Sequence, residues 1–568
     1  MKRILRLDMG ALRASYEEVP EKWLHLWGRG LTSRVVADEV DPGCYALGKK
    51  NKVVLAPGPL AGFAASSTGR ISVGGKSPLT GGIKEANGGG TTAWKMGRLG
   101  LKAVIVEGKP QDGGTFIAVV NKDGAEVIEA PELRLKGIFE AAESLKEKYG
   151  KNIGLAIIGP AGEMLLTASG ISHMDTDGVP SRFTARGGLG AVMGSKGLKA
   201  IVFDDRGAAR PDVAKNDEFM AALKAYNQAV LEAPSSAGFR KLGTANLVRG
   251  MNAIGALPTK NFSRGTFDKF EEISAEKLRA TIEQRGGNPE HACMPGCTIA
   301  CSNVYVDKEG KMLVSPLEYE TIGLVGSNCM IGSLDDIARI NREANDLGLD
   351  TIDLGGAIGV AMEAGLIGWG DAEAALGLLA EVRKGSVLGR LIGSGGAIVG
   401  KVLGIERVPA SKGQVFAAYD PRAVKGLGVT YATSTMGADH TAGQTVRAQI
   451  DHRSYEGQVN VSRGAQVNAA TYDTLGLCNF IGGAMKGSLD MVTAMINAVE
   501  GISFANEDFI KIGKATLKTE VEFNKAAGIP VTVNDLPEWV REEVLPDTNT
   551  SFDVPKEDLK HIFDEIAG

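Results

Sequence analysis

His291-Ala-Cys293-Met-Pro-Gly-Cys297-Thr-Ile-Ala-Cys301 places three thiols at four-residue intervals, and Asp473-Thr-Leu-Gly-Leu-Cys478 supplies a fourth far downstream. The chain has only six cysteines in 568 residues, so half of them fall within nine positions. Thiolates gathered in this way suit a soft metal centre. A tight run with one remote partner is the ligand pattern of an iron–sulfur cluster. Pro295-Gly296 adds the sharp turn that a chain wrapping a cluster needs. Disulfides or buried small apolar cysteines are the plainer alternative.

The run lies beyond the point where the chain changes pattern. Met1–Asp8 reads as a strand, and Lys52-Val-Val-Leu-Ala, Ala103-Val-Ile-Val-Glu and Ile153-Gly-Leu-Ala-Ile-Ile are short apolar runs closed by Gly or Pro. Residues 115–128 predict a hairpin on Asp123-Gly124. Lys199-Ala-Ile-Val-Phe closes the region, and the Gly/Pro-bearing stretch 206–212 marks a boundary. From about residue 213 the period becomes helical, with helices predicted over 217–231, 371–382, 386–403, 465–474, 483–499 and 506–527. Ser333-Leu-Asp-Asp opens another, with a Ser cap and acids in its first turn. The pattern shifts again near 411–420, and the polar tail from Leu536 is predicted to cover a surface. The expectation is an α+β chain with a β-rich base over 1–208, a helical domain over 209–412 that carries the cysteine run, and a helical domain over 413–568 that carries Cys478. Length alone suggests roughly three or four domains.

Composition excludes several classes of function. A net charge of -5 and a pI near 5.9 give no attractive field for nucleic acid. Aromatics are 6%, too few for a base-stacking surface. No apolar run is long enough for a transmembrane helix, and the N-terminus lacks the apolar core of a secretory signal. A cytoplasmic protein with reduced cysteines is expected. Glycine is the anomaly, with 76 residues against a usual share of about 7%. It clusters in 74–82, 87–90, 187–190 and 393–396, as it does where backbone approaches a ligand closely. Asn345-Asp-Leu-Gly-Leu-Asp350 and Asp473-Thr-Leu-Gly-Leu-Cys478 echo one another. Two helices that each end on a C-cap glycine would give the same echo.

Gly58-Pro-Leu-Ala-Gly62, Thr68-Gly-Arg70, Lys76-Ser-Pro-Leu-Thr-Gly81, Ala86-Asn-Gly-Gly89 and Arg186-Gly-Gly-Leu-Gly-Ala-Val-Met-Gly-Ser-Lys-Gly-Leu-Lys199 precede the cysteine run. Glu318-Tyr-Glu320, Leu347-Gly-Leu-Asp350, Asp420-Pro-Arg422, Tyr431-Ala-Thr433 and the Cys478 block follow it. In order and spacing the set resembles the aldehyde ferredoxin oxidoreductase family, the tungsten bis-pterin enzymes, through most of the chain. The resemblance implies tungsten (or molybdenum) held by the dithiolenes of two pterins between the base and the helical parts, with no protein side chain as ligand. The six histidines are scattered rather than grouped, in keeping with that. It further implies a 4Fe-4S cluster on Cys293, Cys297, Cys301 and Cys478.

On the same resemblance, Arg70, Arg182 and Arg186 occupy the phosphate-binding positions, and Asn87, Gly88 and Gly89 the segment at a magnesium ion that joins the pterin phosphates. Asn345, Gly348 and Asp350, with Asp473 and Gly476, occupy the two pterin-recognition motifs, where a carboxylate suits the donor-rich pterin edge. Glu320 and His440 occupy the acid–base positions, one to activate water and one to polarise the carbonyl. By spacing alone Glu318-Tyr-Glu320 would be a solvated strand edge and His440 a core histidine. The implied reaction is oxidation of an aldehyde to a carboxylic acid, or its reverse, with electrons leaving through the cluster to ferredoxin or another Fe–S protein or subunit. Four departures from the family pattern stand out. The run is C-x3-C-x3-C, which shifts Cys293 by one; Asn345 stands for Asp; Ala442 stands for a lysine. Arg339 stands where a bridging-iron glutamate is expected, so a homodimer would form without that iron. Alternatives are a catalytic subunit of an aryl-coenzyme A reductase complex, and an Fe–S electron-transfer protein without pterin. Cys44 and Cys329 are expected to be buried free thiols.

Overall fold

The computed structural model of the chain describes residues 1, 3–485 and 489–567. Twelve strands form two six-stranded sheets. The first is built from β1 (Arg3–Asp8), β2 (Arg13–Glu18), β3 (Val53–Pro57), β4 (Ile71–Lys76), β5 (Ile83–Gly88) and β6 (Leu101–Glu107). The second is built from β7 (Phe116–Asn121), β8 (Ala125–Glu129), β9 (Gly154–Ile157), β10 (Ile171–Met174), β11 (Pro180–Thr184) and β12 (Leu198–Asp204). Strand alternation dictates the layers. Leu5, Leu7, Val104 and Val106 point into a shared core with Phe116, Ala118, Val120, Ile201 and Phe203 of the other sheet. The intervening Ile4, Ala103 and Ile105 pack on the helix Gly28–Glu39. Ile117, Val119, Ala200 and Val202 likewise pack against the helix Ile138–Tyr149. With both faces covered, the strands read as continuous apolar runs.

The two sheets are copies. The first runs β2-β1-β6-β3-β4-β5, and the second, read from its other edge, runs β8-β7-β12-β9-β10-β11. In each the first and last strands of the unit pair in parallel, Leu5 beside Val104 and Ala118 beside Ile201. The sequence trace of the copy is Gly100-Leu-Lys-Ala103 against Gly197-Leu-Lys-Ala200. Even the buried lysines do equivalent work. Lys102 Nζ donates to Leu24 O at 2.7 Å and Lys199 Nζ to Lys136 O at 2.8 Å. The sequence reading found only the weaker Leu-Gly-Leu echo.

Most predicted elements are present. The hairpin closes with Asn121 N donating to Gly124 O. Ser333 Oγ accepts from Asp336 N to open the helix Leu334–Leu347, and Asp371 caps Ala372–Lys384. The helix predicted over 386–403 is two, Val387–Ile392 and Gly396–Leu403. The break exists because the carbonyls of Gly393 and Ser394 turn out to accept from Ala168 N and Thr167 Oγ1 of the base. Of the helix predicted over 483–499, residues 486–488 lie outside the described residues, and Asp490–Glu500 is helical. The tail is not a mere cover. Leu536, Trp539, Val540, Leu545, Phe552 and Ile562 enter the largest apolar core. A second helical core joins Phe219, Tyr226 and Phe239 to Leu475, Leu477, Ile481 and Met495.

The chain's far end is tied to its beginning. Arg29 and Glu520, both 1% exposed, form a two-point ion pair at 2.9 and 2.7 Å. Ser33 and Thr435 hydroxyls donate to the same carboxylate. Such a pair withstands burial because its hydrogen-bonding groups are nearly all met.

Candidate active site and cysteine cluster

The two Leu-Gly-Leu echoes are helix ends seated on the two sheets. Gly348 caps the helix Leu334–Leu347 at φ 80°, and Gly476 follows Gln458–Thr474 at φ 66°. Each fits against a glycine that precedes a proline in the base. A Cβ on Gly159 would lie 2.2 Å from Leu347 O, and one on Gly58 would lie 2.3 Å from Leu475 O. The C-cap explanation is therefore correct as geometry, and the caps also deliver Asp350 and Asp473 to the base.

Asp350 caps the next helix, Thr351–Glu363, through Ile352 N and Asp353 N, and lies 3.4 Å from Arg186 Nε. Arg186 also donates to Ala438 O and Val415 O. Asp473 lies 3.5 Å from Arg29 Nη1. Burial, with Glu85 adding to it, raises the Asp473 carboxyl well above the usual carboxylate range. Asn345 is buried in the last turn before Gly348. Arg70 donates to the side chain and backbone carbonyl of Asn87, and its N–H bonds Gly476 O, so these three predicted residues are brought together. Arg182 stands apart from Arg186, with Nη atoms on Ser302 Oγ at 2.7 Å and His291 Nδ1 at 2.9 Å.

The cysteines converge beside this region. Gly90 N donates to Cys293 O, and a Cβ on Gly89 would sit 3.2 Å from Cys293 Sγ. Gly88 packs against Phe183 and Thr184 of β11. Cys478 N donates to Ser67 O, and the Ser67 hydroxyl is 3.4 Å from Cys297 Sγ. Burial, then neighbouring Cys297 and Cys478, push the Cys293 thiol up to about 12 against the opposing pull of Arg182. Cys301 is raised well above its usual value by burial, then by Glu318 and the other three cysteines. Among the described residues no three His, Cys, Asp or Glu side chains are grouped closely enough for a single metal ion; a multi-iron core holds its thiolates wider apart than one ion does. Cys44 and Cys329 are buried and free, as expected, and Cys329 Sγ donates to Leu324 O.

Glu320 is not on a solvated strand edge. It lies in the short helix Tyr319–Thr321, with flanking Tyr319 1% exposed. Its Oε2 accepts from Ala418 N at 2.8 Å, and the Tyr419 ring lies 5.9 Å from that of His440. Its Oε1 lies 3.3 Å from His440 Nε2, close but misaligned for a hydrogen bond. His440 opens a turn capped by Asp439, whose Oδ2 receives Lys84 Nζ at 2.6 Å. Burial alone would raise the Asp439 carboxyl; Lys84, Arg186 and His440 overcome it and hold Asp439 well below the carboxylate range. The sequence reading missed Asp439, Asp353, Lys84 and Tyr419. Two signals were available, an acid directly before His440 and an acid one helical turn after Asp350.

Several buried polar atoms here have no hydrogen-bond partner: Glu320 Oε1, His440 Nδ1, Tyr431 OH, Asp353 Oδ2, Gln414 Oε1, Arg29 Nη1 and Arg182 Nε. Buried polar groups are nearly always paired, so these mark where a bound group is expected.

Thiols gathered against the β-rich base, with a facing acid–histidine pair nearby, suit an oxidoreductase. The chain belongs to the aldehyde ferredoxin oxidoreductase family: the family's N-terminal domain matches residues 4–205 and its domains 2 and 3 match residues 221–566. The tungsten-containing aldehyde ferredoxin oxidoreductase of Pyrococcus horikoshii is 33% identical over 578 residues, covering 96% of this chain and 92% of that protein. That of Thermococcus kodakarensis is 32% identical over 574 residues, with the same 96% and 92% coverage. The aliphatic sulfonate oxidoreductase, WOR-like subunit, of Pyrococcus furiosus is 24% identical over 561 residues, covering 89% of this chain and 83% of that protein. Among solved structures, the active site complex BamBC of benzoyl coenzyme A reductase with 1,5-dienoyl-CoA superposes with a TM-score of 0.83, covering 100% of this chain and 94% of that one. At 18% identity that likeness is one of fold.

Proposed function

We propose that the chain is a tungsten (or molybdenum) bis-pterin oxidoreductase that interconverts an aldehyde and a carboxylic acid, passing electrons through a 4Fe-4S cluster to ferredoxin or a similar Fe–S protein. The observation that carries this reading is the Glu320–His440 pair at 3.3 Å, each with an unpaired buried atom. The tungsten-containing relatives support it. The donor set fits the cofactor: Arg70, Asn87, Gly88 and Gly89, with Arg182 and Arg186, would hold its phosphates and magnesium. Asn345, Gly348 and Asp350, and Asp473 and Gly476, would hold the pterin edges. Cys293, Cys297, Cys301 and Cys478 would hold the cluster. When bound, the metal centre accepts the two electrons released when an aldehyde gains a water oxygen and loses two protons.

The chain's own groups handle the protons. Glu320 Oε2 is fixed by Ala418 N, which leaves Oε1 to take a proton from water as it attacks the carbonyl carbon. His440 donates toward the carbonyl oxygen and stabilises charge developing there. Lys84 and Asp439 fix the turn that carries His440.

Among the described residues no helix is long and apolar enough to cross a membrane, and a cytoplasmic location is part of this proposal. A homodimer without bridging iron is likewise part of this proposal; Arg339, at the position in question, is engaged by Glu373 and Asp336 at the surface. The aryl-coenzyme A reductase reading rests on likeness of fold alone. Elemental analysis of natively purified protein, alongside reduction of a viologen dye by a panel of aldehydes, tests the proposal. Tungsten or molybdenum with about four irons per chain and aldehyde-dependent dye reduction are expected. Zinc as the main metal with no pterin would overturn it.

A further inference from the structure

Tyr431 lies near the end of the helix Lys425–Thr433 and is fully buried. Its ring stacks on Phe416, centroids 5.1 Å apart and planes within 8°. The stack holds the phenol in one direction, and its hydroxyl has no partner. An unmet buried hydroxyl is costly unless something binds it, and this one is stacked on the segment that also fixes Glu320 and Arg186.

The stack seats the phenol on the 415–418 segment, whose Val415 O accepts from Arg186 and whose Ala418 N donates to Glu320; after burial, the charges that bear most on it are those of Glu320, Arg186, Tyr319 and Asp439. Three of them are engaged elsewhere. Tyr319 OH donates to Ala418 O, Arg186 to Ala438 O and Val415 O, and Asp439 receives Lys84. Glu320 has one oxygen committed to Ala418 N and one free. His440 joins this group through its 3.3 Å approach to Glu320, so a carboxylate oxygen, an imidazole nitrogen and a phenol without hydrogen-bond partners lie about the same glutamate. The first suits a water molecule. The other two suit the oxygen of a carbonyl whose carbon that water attacks.

We propose that Tyr431 is a further catalytic residue, whose hydroxyl donates a hydrogen bond to the substrate carbonyl oxygen as charge develops on it. The inference rests on the aldehyde reading above. The phenol keeps its proton throughout: burial and the nearby Glu320 carboxylate raise it well above its usual range. Tyr431 thus stabilises the oxyanion without taking part in proton transfer. The sequence placed this residue in a family-like block, Tyr431-Ala-Thr433, and gave it no role.

The test is Tyr431→Phe, which keeps the ring and its stack on Phe416 and removes only the hydroxyl. Metal and iron content and thermal stability are measured first. The C=O stretch of bound carbonyl-13C benzamide, an unreactive probe, is then read by difference infrared in wild type and variant. Steady-state kinetics with an aldehyde and a viologen follow. We expect unchanged metal content, a carbonyl stretch that moves to higher frequency, and kcat lower by about 10²–10³, the usual loss for one oxyanion donor, with KM within about threefold. An unmoved carbonyl stretch, or kcat near wild type at full metal content, overturns the proposal. So does a loss of tungsten in step with activity, which would assign the hydroxyl to the cofactor. A wild-type protein that is loaded with metal yet inert to every aldehyde would remove the underlying reading and this inference together.

Discussion

Glu320 differs from the many other acids of this chain in having one oxygen fixed by a backbone N–H and the other left free beside His440. Glu320→Gln keeps the size and loses the base, so turnover per bound tungsten should fall by roughly 10²–10⁴, with His440→Ala in the same range. Rate and metal are counted in one sample; near wild-type rate at full loading in Glu320→Gln would reject it as the base. The cysteines permit a parallel contrast. Cys478→Ala should abolish the cluster signal in electron paramagnetic resonance, because a missing thiolate exposes an iron. Cys329→Ala, a buried thiol that bonds only backbone carbonyls, should leave the spectrum intact and cost only packing. A normal spectrum in Cys478→Ala would remove the fourth ligand. The cysteine run was legible in sequence as a unit because spacing and thiol chemistry are both written in the chain; the cluster it would hold belongs to the proposal above. Asp439 and Tyr419 were not, because their roles arise from what the fold sets beside them.

Helix caps were legible for the same local reason. Ser333 and Asp371 bond backbone N–H groups within three residues of themselves. The split at 393–395 was not legible, since its cause is two hydrogen bonds from the distant base. The duplicated sheet was hidden because strand order is a property of pairing, and few identical residues mark it. The duplication makes a prediction about paired glycines. Gly58 and Gly159 receive equivalent helix ends, with Cβ positions 2.3 and 2.2 Å from a carbonyl oxygen. Neither site can absorb a methyl group without parting the helical unit from its sheet. Gly58→Ala and Gly159→Ala should each destabilise by about 1–3 kcal/mol or more and lower tungsten content, by thermal unfolding and elemental analysis. Unchanged melting and loading in both would mean that these contacts do not hold the two layers together. The division at 208 and 412 remains our proposal for how the parts are delimited.

At the scale of the whole molecule, the core between the sheets contains a titrating group. His173 is fully buried, its ring nitrogens 2.9 Å from Thr92 Oγ1 and 3.2 Å from Thr184 Oγ1. Burial lowers its pKa from 6.5 to about 3. The unfolded chain therefore binds a proton on this ring that the folded chain refuses. Its contribution to stability is full above the unfolded pKa and is lost as pH falls from about 6.5 toward 3, by at most about 1.4 kcal/mol per pH unit. Melting temperature measured across that window should fall with acid, and His173→Asn should flatten part of the slope. An identical profile in the variant would show that the ring is not the titrating group. Scattered histidines in the sequence gave no hint of this, because burial is decided by the packing of two sheets.

Arg29 meets Glu520, Gly58 meets Leu475, and Ser67 meets Cys478. The ribosome makes the base first and these partners last. While residue 473 is still unmade, a folded base presents Arg70 and Asn87 with one recognition segment missing, and the cysteine run of the following unit has its fourth thiol not yet translated. On the proposed reading, cofactor and cluster would therefore be held in full only after residue 478 is made. The yield of loaded enzyme in a production host would then follow the supply of metal and pterin present once that segment has folded onto the base.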